Sequence, residues 1–202
     1  MKKIIITQRI DKVGKFNELR DNLDLRLSNM FDKLGMFPFV IPNNLKNTKN
    51  FINKINPDGI ILSSGGDPKK KDLRRKTENL LINYSLKKNI PLLGLCRGAQ
   101  VLNLYFGGNI FKIKNHVRKI NKIKGKLIKE NKNISVNCYH DYGIKFNSLG
   151  KDLEVLAYTN DNIIECFKHK KKKILGIMWH PERFKKIRIF DKKILKKFFK
   201  CN

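Results

Sequence analysis

Cys96 stands between Gly94 and Gly98, with Arg97 beside it, in the run GLCRGAQ over residues 94–100. An apolar run, NIPLLGL, leads in, and a helix-like run, RGAQVLNLYFGG, leads out. This is the pattern of a nucleophile elbow. The reactive side chain sits on a tight strand-to-helix turn, and small residues two positions either side let strand and helix approach. The amino-terminal end of the following helix favours a thiolate, and Arg97 adds positive charge nearby. The Arg97 amide is then free to face an oxyanion. Taken alone, GxCxG describes a buried thiol in a glycine-containing connection equally well.

A thiol nucleophile needs a base and a group that orients the base. Four histidines are available. His169, in FKHKKKK, reads as an exposed turn, and His116 lies in a polar middle segment. His140 and His180 each end a predicted strand. Pro181 follows His180 and breaks the strand direction, so Glu182 can turn back toward the imidazole. His180 as base and Glu182 as orienter complete the acid–imidazole–nucleophile logic. Read singly, each is a satisfied strand-end histidine and a surface acid. SSGGD, at 63–67, gives a glycine turn at another strand end, able to aim a bare amide at an oxyanion. Gln100 lies one helical turn beyond Cys96, on the same face, able to bond a polar substrate or merely to pack.

These residues need a scaffold. KKIIIT (2–7), MFPFVIP (36–42), DGIILS (58–63) and IPLLGL read as strands. Helices are predicted between them: 16–35, with Leu19, Leu23, Leu27, Met30 and Leu34 on one stripe and Gly35 as its stop; 46–55; 77–89; and the run after Cys96. The alternation predicts a mostly parallel sheet covered by helices on both faces, with sites at the strands' carboxyl ends. Beyond Phe111, residues 114–133 are polar and weakly periodic. ISVNCYH (134–140), LEVLAYT (153–159), NIIECFKH (162–169) and KILGIMWH (173–180) then read as partly antiparallel strands. An amphipathic helix closes the chain at 189–200. No repeat or low-complexity linker divides residues 1–202, which suits a single domain.

The 202 residues carry a formal charge of +28. The lysines are scattered through every segment and the aromatics sit in apolar runs, so a solvated basic surface is the expectation rather than a nucleic-acid site. KKKDLRR (69–75) directly follows the glycine turn. It is either a solvated loop or a patch that draws an anionic, diphosphate-bearing substrate through Lys69, Lys70 and Lys71. The cysteines at 96, 138, 166 and 201 form no CxxC pair, so their spacing indicates neither zinc nor a redox dithiol. The amino terminus has only three consecutive apolar residues, and nothing approaches a membrane span. A cytoplasmic protein with reduced thiols is expected.

The run GLCRGAQVLNLYFGGNI, with ILSSGGDP before it and VNCYHDYGIK and GIMWHPE after it, resembles the class I glutamine amidotransferase-like superfamily. More narrowly it resembles the gamma-glutamyl hydrolases grouped as peptidase family C26, in the same motif order across nearly the whole chain, IIITQR and Arg9 included. The resemblance implies a flavodoxin-like α/β sandwich and a triad of Cys96, His180 and Glu182. It implies an oxyanion hole from the amides of Arg97 and the Gly65–Gly66 turn, and substrate contacts from Gln100, Asn137, His140 and Arg9. It implies no metal and no organic cofactor. Related glutaminase domains that feed ammonia to a synthetase usually carry an apolar residue where Arg97 stands, so CRG looks more like a stand-alone hydrolase. Relatives commonly show serine at the place of Cys138. The implied partner is a small gamma-glutamyl substrate, here expected to be an anionic nucleotide conjugate. A glutaminase subunit, a hydrolase of another gamma-glutamyl amine, and a non-catalytic nucleic-acid binder are the alternatives.

Overall fold

The computed structural model describes residues 1–128 and 133–201. In chain order the strands and helices are β1 (Lys2–Thr7), β2 (Arg9–Val13), β3 (Glu18–Asn22), α1 (Leu25–Lys33), β4 (Met36–Ile41), α2 (Thr48–Ile55), β5 (Gly59–Leu62), α3 (Leu73–Lys88), β6 (Leu92–Leu95) and α4 (Arg97–Tyr105). Then follow β7 (Phe111–Lys112), β8 (Val117–Lys124), β9 (Ile134–Tyr139), β10 (Tyr142–Gly143), β11 (Leu153–Thr159), β12 (Ile164–His169), β13 (Ile174–Ile177) and α5 (Ile189–Phe199).

One sheet takes nine of the strands in the order β4-β1-β5-β6-β13-β12-β11-β8-β9. The first five are parallel neighbours, and every pairing from β13 to β9 is antiparallel. Numbered among themselves, the parallel strands run 2-1-3-4-5, the flavodoxin-like order, whose ligand crevice opens where the order reverses beside β1 and β5. Side-chain alternation divides the core into two layers. Ile4, Ile6, Ile61, Leu93 and Ile177 pack with Leu27, Phe31, Leu195 and Phe199 of α1 and α5. Ile5, Ile60, Leu62 and Leu92 pack with Ile52, Leu81, Val101 and Leu102 of α2, α3 and α4. The sandwich has the three layers and the antiparallel carboxyl-terminal half that the sequence predicts.

Three segments depart from expectation. The predicted helix over 16–35 is helical only from Leu25 to Lys33; β2 and β3 form a hairpin in front of it. Leu19, placed on the helical stripe, is 65% exposed on that hairpin. Gly14 and Asn17 adopt φ of +68° and +54°, so turn chemistry prevails over a fortuitous apolar period. Asp24 caps α1 by accepting from the Arg26 amide. The polar stretch after Lys114 contains β8, of which Ile123 alone is fully buried, so it shows no alternation to read. Residues 129–132 of that stretch lie outside the described ones. Helix α3 also begins four residues before the predicted Thr77, which puts Arg74 and Arg75 on a helix instead of a loop.

Candidate active site

Cys96 joins β6 to α4 with φ +48° and ψ −103°, a backbone region that a residue bearing a Cβ rarely occupies. Its amide donates to Ile177 O at 2.7 Å and its carbonyl accepts the Gln100 amide at 3.1 Å. The flanking glycines make this geometry possible. A Cβ at Gly94 would stand 2.6 Å from the Gly98 carbonyl and the Ala99 nitrogen. A Cβ at Gly98 would fall inside the carbonyl of Leu62, so α4 lies against β5 with nothing between them. The Arg97 amide is the first of α4 and has no acceptor within the helix.

His180 follows β13 and Glu182 lies on a single 3-10 turn, Pro181–Arg183, with the proline at its start. His180 Nδ1 and Glu182 Oε1 are 2.6 Å apart, both side chains being 2% exposed. The other ring nitrogen, Nε2, is buried with no well-formed hydrogen bond of its own, and Cys96 is the group that acts on this imidazole most strongly after burial. Burial pulls His180 down, but the Cys96 charge and hydrogen bond, then Glu182, raise it to about 9. Burial likewise pushes the Cys96 thiol up, and His180 overrides this by charge and hydrogen bond, so the thiol lies below its ordinary value. Each shift favours the charged form of its own group, so the pairing favours a thiolate beside an imidazolium. His140 adds to the thiolate's favour through its charge.

The expected contribution of the Arg97 guanidinium to the thiolate is corrected by the structure. That side chain is buried and reaches Glu78 Oε1 at 2.5 Å and the Asp67 carbonyl at 3.3 Å, so its charge is spent on α3. Glu78, fully buried, also takes Arg74 at 2.9 Å. Arg74 in turn donates to the carbonyls of Gly65 at 2.6 Å, Ser63 at 2.7 Å and Ser64 at 3.2 Å. Gly65 and Gly66 both have φ of +83°. Because a trans peptide sets N–H opposite C=O, drawing the Gly65 carbonyl to Arg74 turns the Gly66 amide the other way. Thr7 Oγ1 accepts the Ser63 amide at 2.9 Å and fixes the turn's entry. Arg74 and Arg75 are thus structural, not part of a substrate-facing cationic loop; burial pulls Arg74 down to about 10 against the pull of Glu78.

The remaining predicted residues divide. Gln100 is buried and donates to the Tyr142 carbonyl at 2.8 Å. Asn137 bonds the backbone of His180 twice, from Nδ2 to the carbonyl and from the amide to Oδ1, both at 2.9 Å. Its amide group is committed to placing the imidazole, not left for a substrate as expected. His140 Nδ1 meets the Tyr142 carbonyl at 3.0 Å. Lys69 lies 5.2 Å from the centre of the Tyr142 ring, Lys70 pairs with Asp72 at 3.7 Å, and Lys71 is exposed. Arg9 lies against Gly65 and, with Ser63, Ser64 and Arg183, lines a cleft of about 300 Å³.

The family model of class I glutamine amidotransferases matches residues 19–201. The chain belongs to that family. It is 38% identical over 188 residues to a Campylobacter jejuni gamma-glutamyl-CDP-amidate hydrolase, covering 88% of each chain. It is 33% identical over 192 residues to anthranilate synthase component 2 of Cyanophora paradoxa, covering 91% of this chain and 97% of that one. The fold superposes on a glutamine amidotransferase of Thermotoga maritima with a TM-score of 0.64 at 17% identity, covering 90% of this chain and 76% of that one. Among the described residues no helix is long and apolar enough to cross a membrane.

Glu78 and Tyr139 are not singled out by any sequence pattern, and Arg74, legible only as one of the KKKDLRR cations, takes its role from Glu78. Glu78 gives no local signal, because an acid inside a helix reads as solvated surface. Tyr139 sets its ring edge-on to His180 at 5.6 Å, under the Arg183 guanidinium at 4.4 Å.

Two outcomes follow from this geometry. Glu78→Ala leaves Arg74 and Arg97 buried without their carboxylate; a loss of about 3–5 kcal/mol is expected in urea unfolding. A loss within about 0.5 kcal/mol, usual for a surface site, would refute the clamp. Burial pushes the thiols of Cys138, Cys166 and Cys201 up, so iodoacetamide at neutral pH should label Cys96 alone. The midpoint of its labelling against pH should lie below the ordinary thiol value of 9.0 and rise in His180→Asn, read by mass spectrometry. An unmoved midpoint would remove the ion pair.

Proposed function

We propose that this chain hydrolyses a gamma-glutamyl amide through a gamma-glutamyl thioester on Cys96. The observation that carries the reading is the Cys96 elbow facing an imidazole whose far nitrogen is 2.6 Å from a buried carboxylate. The thiolate attacks the gamma-carbonyl carbon, and the amides of Arg97 and the Gly65–Gly66 turn receive the oxyanion. The carbon–nitrogen bond then breaks and the His180 proton passes to the departing nitrogen. Neutral His180 next takes a proton from water, which attacks the thioester. Glutamate leaves, and the thiolate–imidazolium pair returns. Glu182 holds the imidazole and balances its charge throughout.

The substrate we favour is gamma-glutamyl-CDP-amidate, giving glutamate and cytidine diphosphoramidate for capsular phosphoramidate synthesis. Support comes from the Campylobacter jejuni relative and from the cations near the mouth. Arg9 and Arg183 flank the cleft beside Gly65, and Lys69 stands 5.2 Å from the ring centre of Tyr142, whose carbonyl Gln100 and His140 hold. Arginine and lysine there suit a diphosphate. A second reading, a glutaminase subunit serving a synthetase, draws on the match to anthranilate synthase component 2. It predicts glutamine hydrolysis that rises when a partner is added.

The deciding assay follows gamma-glutamyl compounds, gamma-glutamyl-CDP-amidate among them, by mass spectrometry. Wild type should release glutamate and cytidine diphosphoramidate, and Cys96→Ala should release neither; turnover by Cys96→Ala would refute the thioester route. In the same assay, neutralising Lys69, Lys70 and Lys71 together should weaken the nucleotide substrate more than a neutral gamma-glutamyl amide. Equal losses on the two substrates would remove the anion-binding role.

A further inference from the structure

Behind the candidate active site the structure gathers His116, Cys138, His140 and Glu165, all buried, with one donor atom of each within 4.8 Å of the others. Strand geometry explains two of them. Cys138 and His140 are two residues apart at the end of β9, so both project from one face. Glu165 comes from β12 and His116 from the residue before β8. The sheet places β11 and β8 between β12 and β9. The antiparallel half must therefore curl for Cys138 to reach Glu165 at 3.7 Å. The donors converge on Glu165 Oε1, with His116 Nδ1 and His140 Nε2 each 3.2 Å away.

Several features of this cluster suit a metal better than a closed hydrogen-bond network. Glu165 Oε2 is buried with no hydrogen-bond partner, and His140 Nε2 has only the 3.2 Å contact to Glu165 Oε1, too poorly aligned for a good hydrogen bond; such atoms are costly to bury unless something else satisfies them. Both imidazoles have their outer nitrogen engaged: His116 Nε2 with Asp161 Oδ2 at 2.9 Å, and His140 Nδ1 with the Tyr142 carbonyl at 3.0 Å. That is how metal-bound histidines are oriented by carboxylates and carbonyls outside the coordination sphere. Asn121 Nδ2 stands 3.5 Å from Cys138 Sγ, a donor suited to a thiolate. Donors at roughly 2.0–2.3 Å from a tetrahedral zinc ion stand about 3.3–3.7 Å apart; the three separations to Glu165 Oε1 are 3.2, 3.2 and 3.7 Å, and all four donors lie within 4.8 Å of one another. One thiolate, two imidazoles and a carboxylate select a borderline-soft divalent ion over calcium or magnesium.

We infer that His116, Cys138, His140 and Glu165 form a tetrahedral site for zinc or a similar divalent ion, pinning the curled edge of the sheet beside the active site. Asn137, which holds the His180 backbone, is the residue next to Cys138, so the ion steadies the strand that places the imidazole. Burial beside Glu165 keeps the Cys138 thiol protonated without an ion. Binding therefore releases that proton, and any held by the two imidazoles, to the buffer, with no change of oxidation state. Cys96, His180 and Glu182 are not among the four donors, and His140 meets the proposed catalytic site only through its charge and the Tyr142 carbonyl, so ion binding is read apart from turnover.

The test titrates chelator-treated full-length protein with Co²⁺, reading thiolate-to-cobalt absorption, and with Zn²⁺ by calorimetry. Wild type should bind one equivalent with a thiolate band, and Cys96→Ala should keep it. Cys138→Ser, nearly isosteric, should lose the band with its far-ultraviolet circular dichroism intact. Asp161→Ala should weaken Zn²⁺ binding by roughly 10–100-fold. Wild type that binds neither ion, or a band lost with Cys96 and kept with Cys138→Ser, would overturn the inference.

Discussion

Helix α4 rests directly on the ends of β5 and β6, and much of the site follows from that contact. Gly98 meets the Leu62 backbone and Gly94 meets the first turn of α4, so neither position has room for a side chain. The chain must then pass from strand to helix in a single residue, and Cys96 takes a left-handed backbone to do it. The cost of that conformation, on the order of 1–3 kcal/mol, is borne by the packing of β6 and α4 around it. Strain at this point has a consequence: it leaves Cys96 as the residue immediately before α4, whose first amides have no partner within the helix.

Charge inside the protein is organised in pairs and clusters, although the surface carries a large positive excess. Glu78 unites Arg74 and Arg97, and through Arg74 it orients three consecutive carbonyls of the Ser63–Gly65 turn. Glu182 does the same for His180. In each case a buried carboxylate is tolerated because opposite charge and directed donors surround it. Thus two carboxylates far apart in sequence fix the two sides of the site, one holding the turn and the other holding His180. Arg97 serves the first of these, and its nearness to Cys96 in the chain has little to do with its role.

The curl of the antiparallel strands supplies the third side. Strand β9 is last in the hydrogen-bonded order, yet Asn137 reaches the backbone of His180 and Cys138 reaches Glu165. A flat sheet would keep these strands apart; twist accumulated across four antiparallel pairings brings them back together. His180 is consequently held from both ends, its backbone by Asn137 and its ring by Glu182.

The sequence by itself determined the parallel half of the fold and singled out Cys96, His180 and Glu182 as candidates. Continuous apolar runs such as GIIL and LLGL, the glycines around Cys96 and the proline after His180 are local constraints, and local constraints are written in neighbouring residues. It misread residues 16–24, where a chance helical period overlay a Gly14–Asn17 turn, and it showed nothing of β8, whose mostly solvated faces leave no alternation. Only the tertiary structure decided that Arg74 and Arg97 face Glu78, that Asn137 holds a backbone, and that His116, Cys138, His140 and Glu165 meet. Those contacts join elements through sheet order and curl, and burial turns residues that look like surface polar groups into paired interior ones. Spacing along the chain cannot carry that information, because the distances that matter are set by which strands the sheet places side by side and how far it twists.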